Sequence, residues 1–199
     1  MGVYTSHFNL YKPSINEVGW GEKVNQNFDI IDEKLFIAGF EKIAEIELTG
    51  SVNYVPFENL NGNEDWFYML YFTAKNMGNS TAKYYLFVNN DTNVSNYYSQ
   101  GILASADNVT ASREEKPIIA HATYEESVFC KMSISKDPFG YLRAFSFASF
   151  DAANIVKFEI LSVCYSLTID NITSLTIQSS ITNGIGAGSK FILFRIRRA

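Results

Sequence analysis

The chain has 199 residues, a formal net charge of −5, and 47% hydrophobic and 15% aromatic content. That composition buries a substantial core and excludes disorder of the whole chain, and the length fits one domain plus a short extra element. A sequence pI near 5.1 sets an acidic surface against phosphate backbones, which argues against nucleic acid as a partner.

No run of about 18 apolar residues occurs, so no membrane insertion is expected. Residues 1–10 lack the basic start and apolar run of a secretory signal, so synthesis and folding in a cytoplasm are expected, with cell lysis as one route out. With 16 Phe and 12 Tyr against only 4 Pro, the body is expected to be all-β. Cys130 and Cys164 lie in separate apolar stretches and read as small buried hydrophobes rather than a disulfide or metal pair.

Residues 1–19 read as an irregular, extended lead carrying Phe8, Leu10, Tyr11, Pro13 and Ile15, with Gly19 and Gly21 delaying any helix. Apolar residues without a periodicity that would bury them locally suit a segment that orders on a partner. Over 20–38, Trp20, Val24, Phe28, Ile31 and Leu35 follow at spacings of 4, 4, 3 and 4, one narrow stripe along an amphipathic helix. So short a helix is marginal alone, so the stripe needs a cover. Three such stripes could bury one another in a homotrimer, or the five residues could pack on the chain's own sandwich.

Residues 39–199 change to a period of two. Strands are expected around 43–48, 66–75, 83–89, 117–123, 128–135, 141–150, 155–167, 172–179 and 191–196, with 66–75 central and paired to 83–89 through the turn at 76–79. Asp137-Pro138-Phe139-Gly140 is a hairpin turn. Strands separated by turns without helices predict an antiparallel β-sandwich, jelly-roll-like.

The chemistry-bearing signals are weak. His7 and His121 have no Cys, Asp or Glu at metal-ligand spacing, and no nucleophile elbow appears. Gly184, Gly186 and Gly188 resemble a phosphate loop, but a strand follows where a helix is needed. The polar run 89–93 could offer oxygens to calcium or a sugar, though a solvated turn accounts for it as well. Tyr84, Tyr85, Tyr97 and Tyr98 could stack on sugars or serve as strand and loop aromatics. Lys190, Arg195, Arg197 and Arg198 read as charges finishing a strand. No catalytic residue, metal or cofactor is expected.

One stretch is more specific. Leu10-Tyr11-Lys12-Pro13, then Trp20, then Val24-Asn25-Gln26-Asn27-Phe28-Asp29-Ile30-Ile31-Asp32 resembles a segment of bacteriophage tail-fibre, receptor-binding and other virion appendage proteins. The resemblance covers about residues 9–35. It implies a non-enzymatic virion structural protein (a tail-fibre, head-fibre or decoration subunit) that docks to other virion proteins by its N-terminus. It also implies a trimer that projects its β domain, with a host-surface glycan or protein as a further partner. A lectin-like carbohydrate-binding module, or a glycan depolymerase, is the alternative.

Overall fold

The computed structural model describes residues 3–4, 10–12, 18–38, 40–152 and 155–197. The described elements run β1 (Val3–Tyr4), β2 (Tyr11–Lys12), α1 (Trp20–Ala38), β3 (Glu41–Glu47), β4 (Tyr54–Phe57), β5 (Asp65–Lys75), β6 (Ala82–Val88) and β7 (Tyr97–Ser105). They continue as β8 (Asn108–Glu114), β9 (Ile118–Ala122), β10 (Ser127–Lys136), β11 (Tyr141–Ala152), β12 (Ile155–Thr168), β13 (Leu175–Ser179) and β14 (Lys190–Arg197).

The protein is mainly β, two antiparallel sheets stacked as a sandwich behind one N-terminal helix. The larger sheet has the order β3-β14-β5-β10-β11-β12-β7-β8 and the smaller β4-β13-β6-β9. Early strands pair with late ones: β3 with β14, β4 with β13, β5 with β10, β6 with β9. Successive pairs alternate between the sheets, which is a long antiparallel ribbon rolled up, the jelly-roll path. Two inserted hairpins, β7–β8 after β6 and β11–β12 after β10, pair with each other and extend only the larger sheet.

Two expectations are corrected. Segment 66–75 does not pair with 83–89: β5 lies between β14 and β10, and β6 between β13 and β9 in the other sheet. The turn after β5 carries the chain across the sandwich instead of reversing it in plane. Residues 97–105 and 108–114 form strands, where the sequence pattern marked none between 89 and 117.

Alternation drives the burial. In β10, Val128, Cys130, Met132 and Ile134 point inward while Phe129, Lys131 and Ser133 face out. The inner faces meet around Phe72, whose ring stacks on Phe191 at 5.2 Å and meets Tyr84 edge-on at 6.1 Å. Tyr97 joins that layer from the inserted hairpin, 5.4 Å from Phe87 and 4.8 Å from Tyr165. At the Asp137 turn, the Gly140 amide donates to the Asp137 carbonyl, and Gly140 takes φ +88°, which favours glycine.

Ion pairs finish the β3 edge. Arg195 is bidentate to Glu41 at 2.9 and 3.0 Å, and Lys190 reaches Glu45 at 2.6 Å. Most of the basic cluster at the end of the chain is therefore matched by β3 carboxylates. The hydrogen bond from Arg195 holds Glu41 below the usual carboxylate range, and those from Lys190 and Lys42 bring Glu45 to about 2. A carboxyl whose folded pKa is depressed contributes stability that is present above its unfolded value and lost as pH falls through the folded one. The urea midpoint is therefore expected to hold above about pH 5 and to fall between 4.5 and about 2. A midpoint unchanged across that window would show that these pairs contribute nothing.

Candidate functional site

The N-terminal module is built on α1. Asn27, central in the Asn25-Gln26-Asn27-Phe28-Asp29 motif, clamps the backbone of Tyr11: the Tyr11 amide donates to Asn27 Oδ1 at 2.6 Å, and Asn27 Nδ2 donates to the Tyr11 carbonyl at 2.5 Å. The side-chain amide thus supplies the donor and acceptor that a neighbouring strand would supply. Lys23 Nζ sits 4.4 Å from the Tyr11 ring centre, a cation–π contact. On its other side β2 pairs with β1, Val3 against Lys12 and Tyr4 against Tyr11, so part of the lead expected to be irregular is paired.

Of the residues expected to dock a partner, Leu10 and Tyr11 are half-buried, and Phe8, Pro13 and Ile15 lie outside the described residues. In the helix stripe, Val24 and Ile31 are half-buried and Phe28 is 63% exposed. The side chains of Trp20 and Leu35 also lie outside the described set. The stripe is incompletely covered by its own chain at Phe28.

The polar candidates resolve into structure. Tyr84 and Tyr97 are fully buried, which removes both as sugar-stacking faces; Tyr85 is half-buried and Tyr98 partly exposed. Asp91 Oδ2 accepts from Asn96 Nδ2 and Tyr165 Oη, each at 2.7 Å, and the Asp91 carbonyl accepts from Tyr97 at 2.7 Å. Burial opposes ionisation of Asp91, yet the hydrogen bonds from Asn96, Tyr165 and the Asn93 amide hold its carboxyl below the ordinary range. Burial and the bond to Asp91 push Tyr165 up to about 12. Run 89–93 is a closed corner, not an open cradle. In the glycine loop, a Cβ on Gly186 would lie 2.2 Å from Met77 Cγ and 3.1 Å from the Lys75 carbonyl, and one on Gly184 would lie 2.2 Å from Ser179 Oγ.

Sequence reasoning missed one constellation, because its members are 38 residues apart. β9 ends the smaller sheet, and its outer edge lies against β10, β11 and β12. Glu159, 2% exposed, accepts the His121 amide at 2.6 Å through Oε1 and meets His121 Nδ1 at 2.7 Å through Oε2. Ser146 donates to the Ile119 carbonyl at 2.7 Å. Side chains of the larger sheet therefore satisfy the edge of β9, where a further strand would otherwise pair. Cys130 packs beside this lock, its thiol pushed well up by burial and by the Glu159 charge.

Among the described residues, no group of three or more His, Cys, Asp or Glu could hold a metal ion, and no helix is long and apolar enough to cross a membrane. Both cysteines are free. At the pole beyond Lys75, Met77, Asn79, Tyr124, Ser180 and Thr182 line a polar recess of about 580 Å³. No family model matches the chain, and no curated protein matches its sequence.

Replacing Glu159 tests the lock. Glu159→Ala leaves the His121 amide without an acceptor and is expected to lower unfolding free energy by about 2–3 kcal/mol, against about 1 for Glu159→Gln, which keeps one acceptor oxygen. Equal urea midpoints for the alanine variant and wild type would show that the β9 edge is satisfied otherwise.

Proposed function

We propose that the chain is a virion structural subunit, a fibre, appendage or decoration protein that docks by its N-terminal module, assembles as a homotrimer and projects the jelly roll outward. The observation that carries the reading is the polarity of the domain. β3 runs parallel to β5 through β14, with Glu41 in the same row as Arg195 and Tyr68, so α1 enters the sandwich at the Asp65 pole. The polar recess with Asn79, Tyr124 and Thr182 lies at the opposite pole, beyond Lys75. One pole suits anchorage and the other is presented.

The clamp between Asn27 and Tyr11 supports the same reading. It gives a physical role to a motif residue shared in pattern with phage appendage proteins: it holds the lead against the helix. The recess, with Tyr124 52% exposed beside hydroxyl and amide groups, suits a host-surface glycan or protein contact. Lectin-like binding therefore becomes a property of the projecting pole rather than a rival to the structural role.

Mass spectrometry of purified particles from lysed host cells is expected to find the chain, in copy numbers divisible by three. A form truncated before Gly19 should fold and assemble yet fail to enter particles. Normal incorporation of the truncated form would move the docking surface to the β domain, and absence of the full chain from particles would overturn the structural role.

A further inference from the structure

The outer face of the larger sheet carries an apolar band across most of its width, flanked by rows in which Thr73, Ser133, Ser149, Ser162 and Gln100 alternate with apolar residues. One lateral row reads Ile192, Tyr71, Lys131, Phe147, Ile160, Ile102 and Ala111 across seven adjacent strands, roughly 30 Å at the spacing of paired strands. The row ends on Glu45 of the edge strand β3, and its other charge, Lys131, leans over the Tyr71 ring at 5.6 Å. The neighbouring rows add Phe129, Phe145 and Phe158. Solvated antiparallel faces ordinarily alternate to polar residues on this side.

The two halves of the face differ in shape. On the β3 side, Phe40, Tyr71, Phe129, Ile192 and Phe194 line an almost wholly apolar recess of about 540 Å³. On the inserted side, Phe145, Phe147 and Phe158 form a cluster with ring centres 4.8 and 6.4 Å apart, each ring 41–44% exposed. Both halves lie on one sheet, so they cannot meet within a chain.

We infer that this face is a homotypic interface in which the phenylalanine cluster of one copy fills the Phe40–Phe194 recess of the next. Area argues for a second copy. Aromatic side chains present about 150–250 Å² each. At the observed exposures, the phenylalanines together with Ile102, Val109 and Val156 offer on the order of 700–800 Å² over the whole face, above the ~300–600 Å² of an ordinary monomer's largest patch. A net charge of −5 disfavours an anionic membrane as the cover. The face also continues into the helix, because Phe40 follows α1 and lines the recess. Recess against cluster is a head-to-tail contact, and such contacts close into a ring where the rotation between copies closes. The inference rests on the assembly reading above and assigns the trimer contact to the sheet as well as the helix.

Two full-chain double variants test it: Phe145→Ser with Phe147→Ser in the cluster, and Phe129→Ser with Phe194→Ser in the recess. All four side chains face outward, so circular dichroism and melting should remain near wild type. By light scattering at micromolar concentration, each variant is expected to fall to the 22.4 kDa monomer, while wild type is a multiple of it. Mixing the two variants leaves one intact recess and one intact cluster, so a heterodimer should form where neither variant self-associates. Recovery of pairing in the mixture also excludes misfolding as the cause. Wild-type mass in both variants, or a monomeric wild type, overturns the inference. Loss of assembly in Phe28→Asp with both sheet variants unaffected also overturns it and leaves assembly to the helix. Particle incorporation reads out the virion role separately.

Discussion

Eight strands facing four is the constraint on which the rest of the molecule depends. The four strands of the smaller sheet cannot span the eight of the larger, and its edge strand β9 lies against β10 and the inserted strands β11 and β12. A β-strand edge buried there needs partners for its amides and carbonyls, and water is excluded. Glu159 and Ser146 supply those partners from the sheet beneath, which explains a carboxylate 2% exposed in a strand otherwise alternating Leu161, Val163 and Tyr165 inward. The pairing of Glu159 with His121 is thus a consequence of fold geometry.

The larger sheet also carries exposed apolar residues on its outer face. A sheet can be covered on both sides only if something packs on each, and this chain supplies one layer. Its outer face nevertheless carries phenylalanines where lysine, glutamate and threonine would give solubility. Keeping those rings in water costs about 25 cal/mol per Å². The helix adds to that pressure: Phe28 stands in solvent while Val24 and Ile31 are half-buried.

Where alternation was strong, the sequence was legible. Segments 128–135, 141–150 and 155–167 lie within β10, β11 and β12, because each alternates small or apolar inward residues with outward ones. The helix bounds were visible in the spacing from Trp20 to Leu35 and the change of period after Gly39. β8 was not legible, since Asn108-Val109-Thr110-Ala111-Ser112-Arg113 is exposed along its length and is held by backbone pairing to β7, with the Lys83–Glu114 ion pair at the strand's end. β7 was hidden by Gly101 and Ser99, which are small because β12 crowds them: a Cβ on Gly101 would meet Leu161 Cδ2 at 2.4 Å. The mistaken pairing of 66–75 with 83–89 followed from adjacency in sequence, which cannot distinguish a reversal within a sheet from a crossing between sheets. Neither the Glu159 lock nor the sheet-wide row of apolar residues exists before strand register is known.

The account's central claim is that the outer face of the larger sheet is covered in the assembled protein. Hydroxyl-radical footprinting of the full wild-type chain reads this directly, residue by residue. At micromolar concentration Phe129, Phe145, Phe147 and Phe158 should be strongly protected while Phe139, 80% exposed at the Asp137 turn, reacts freely, and dilution to monomer should abolish the difference. Reaction of all five rings in proportion to their exposure in the single chain, at every concentration, would contradict the claim.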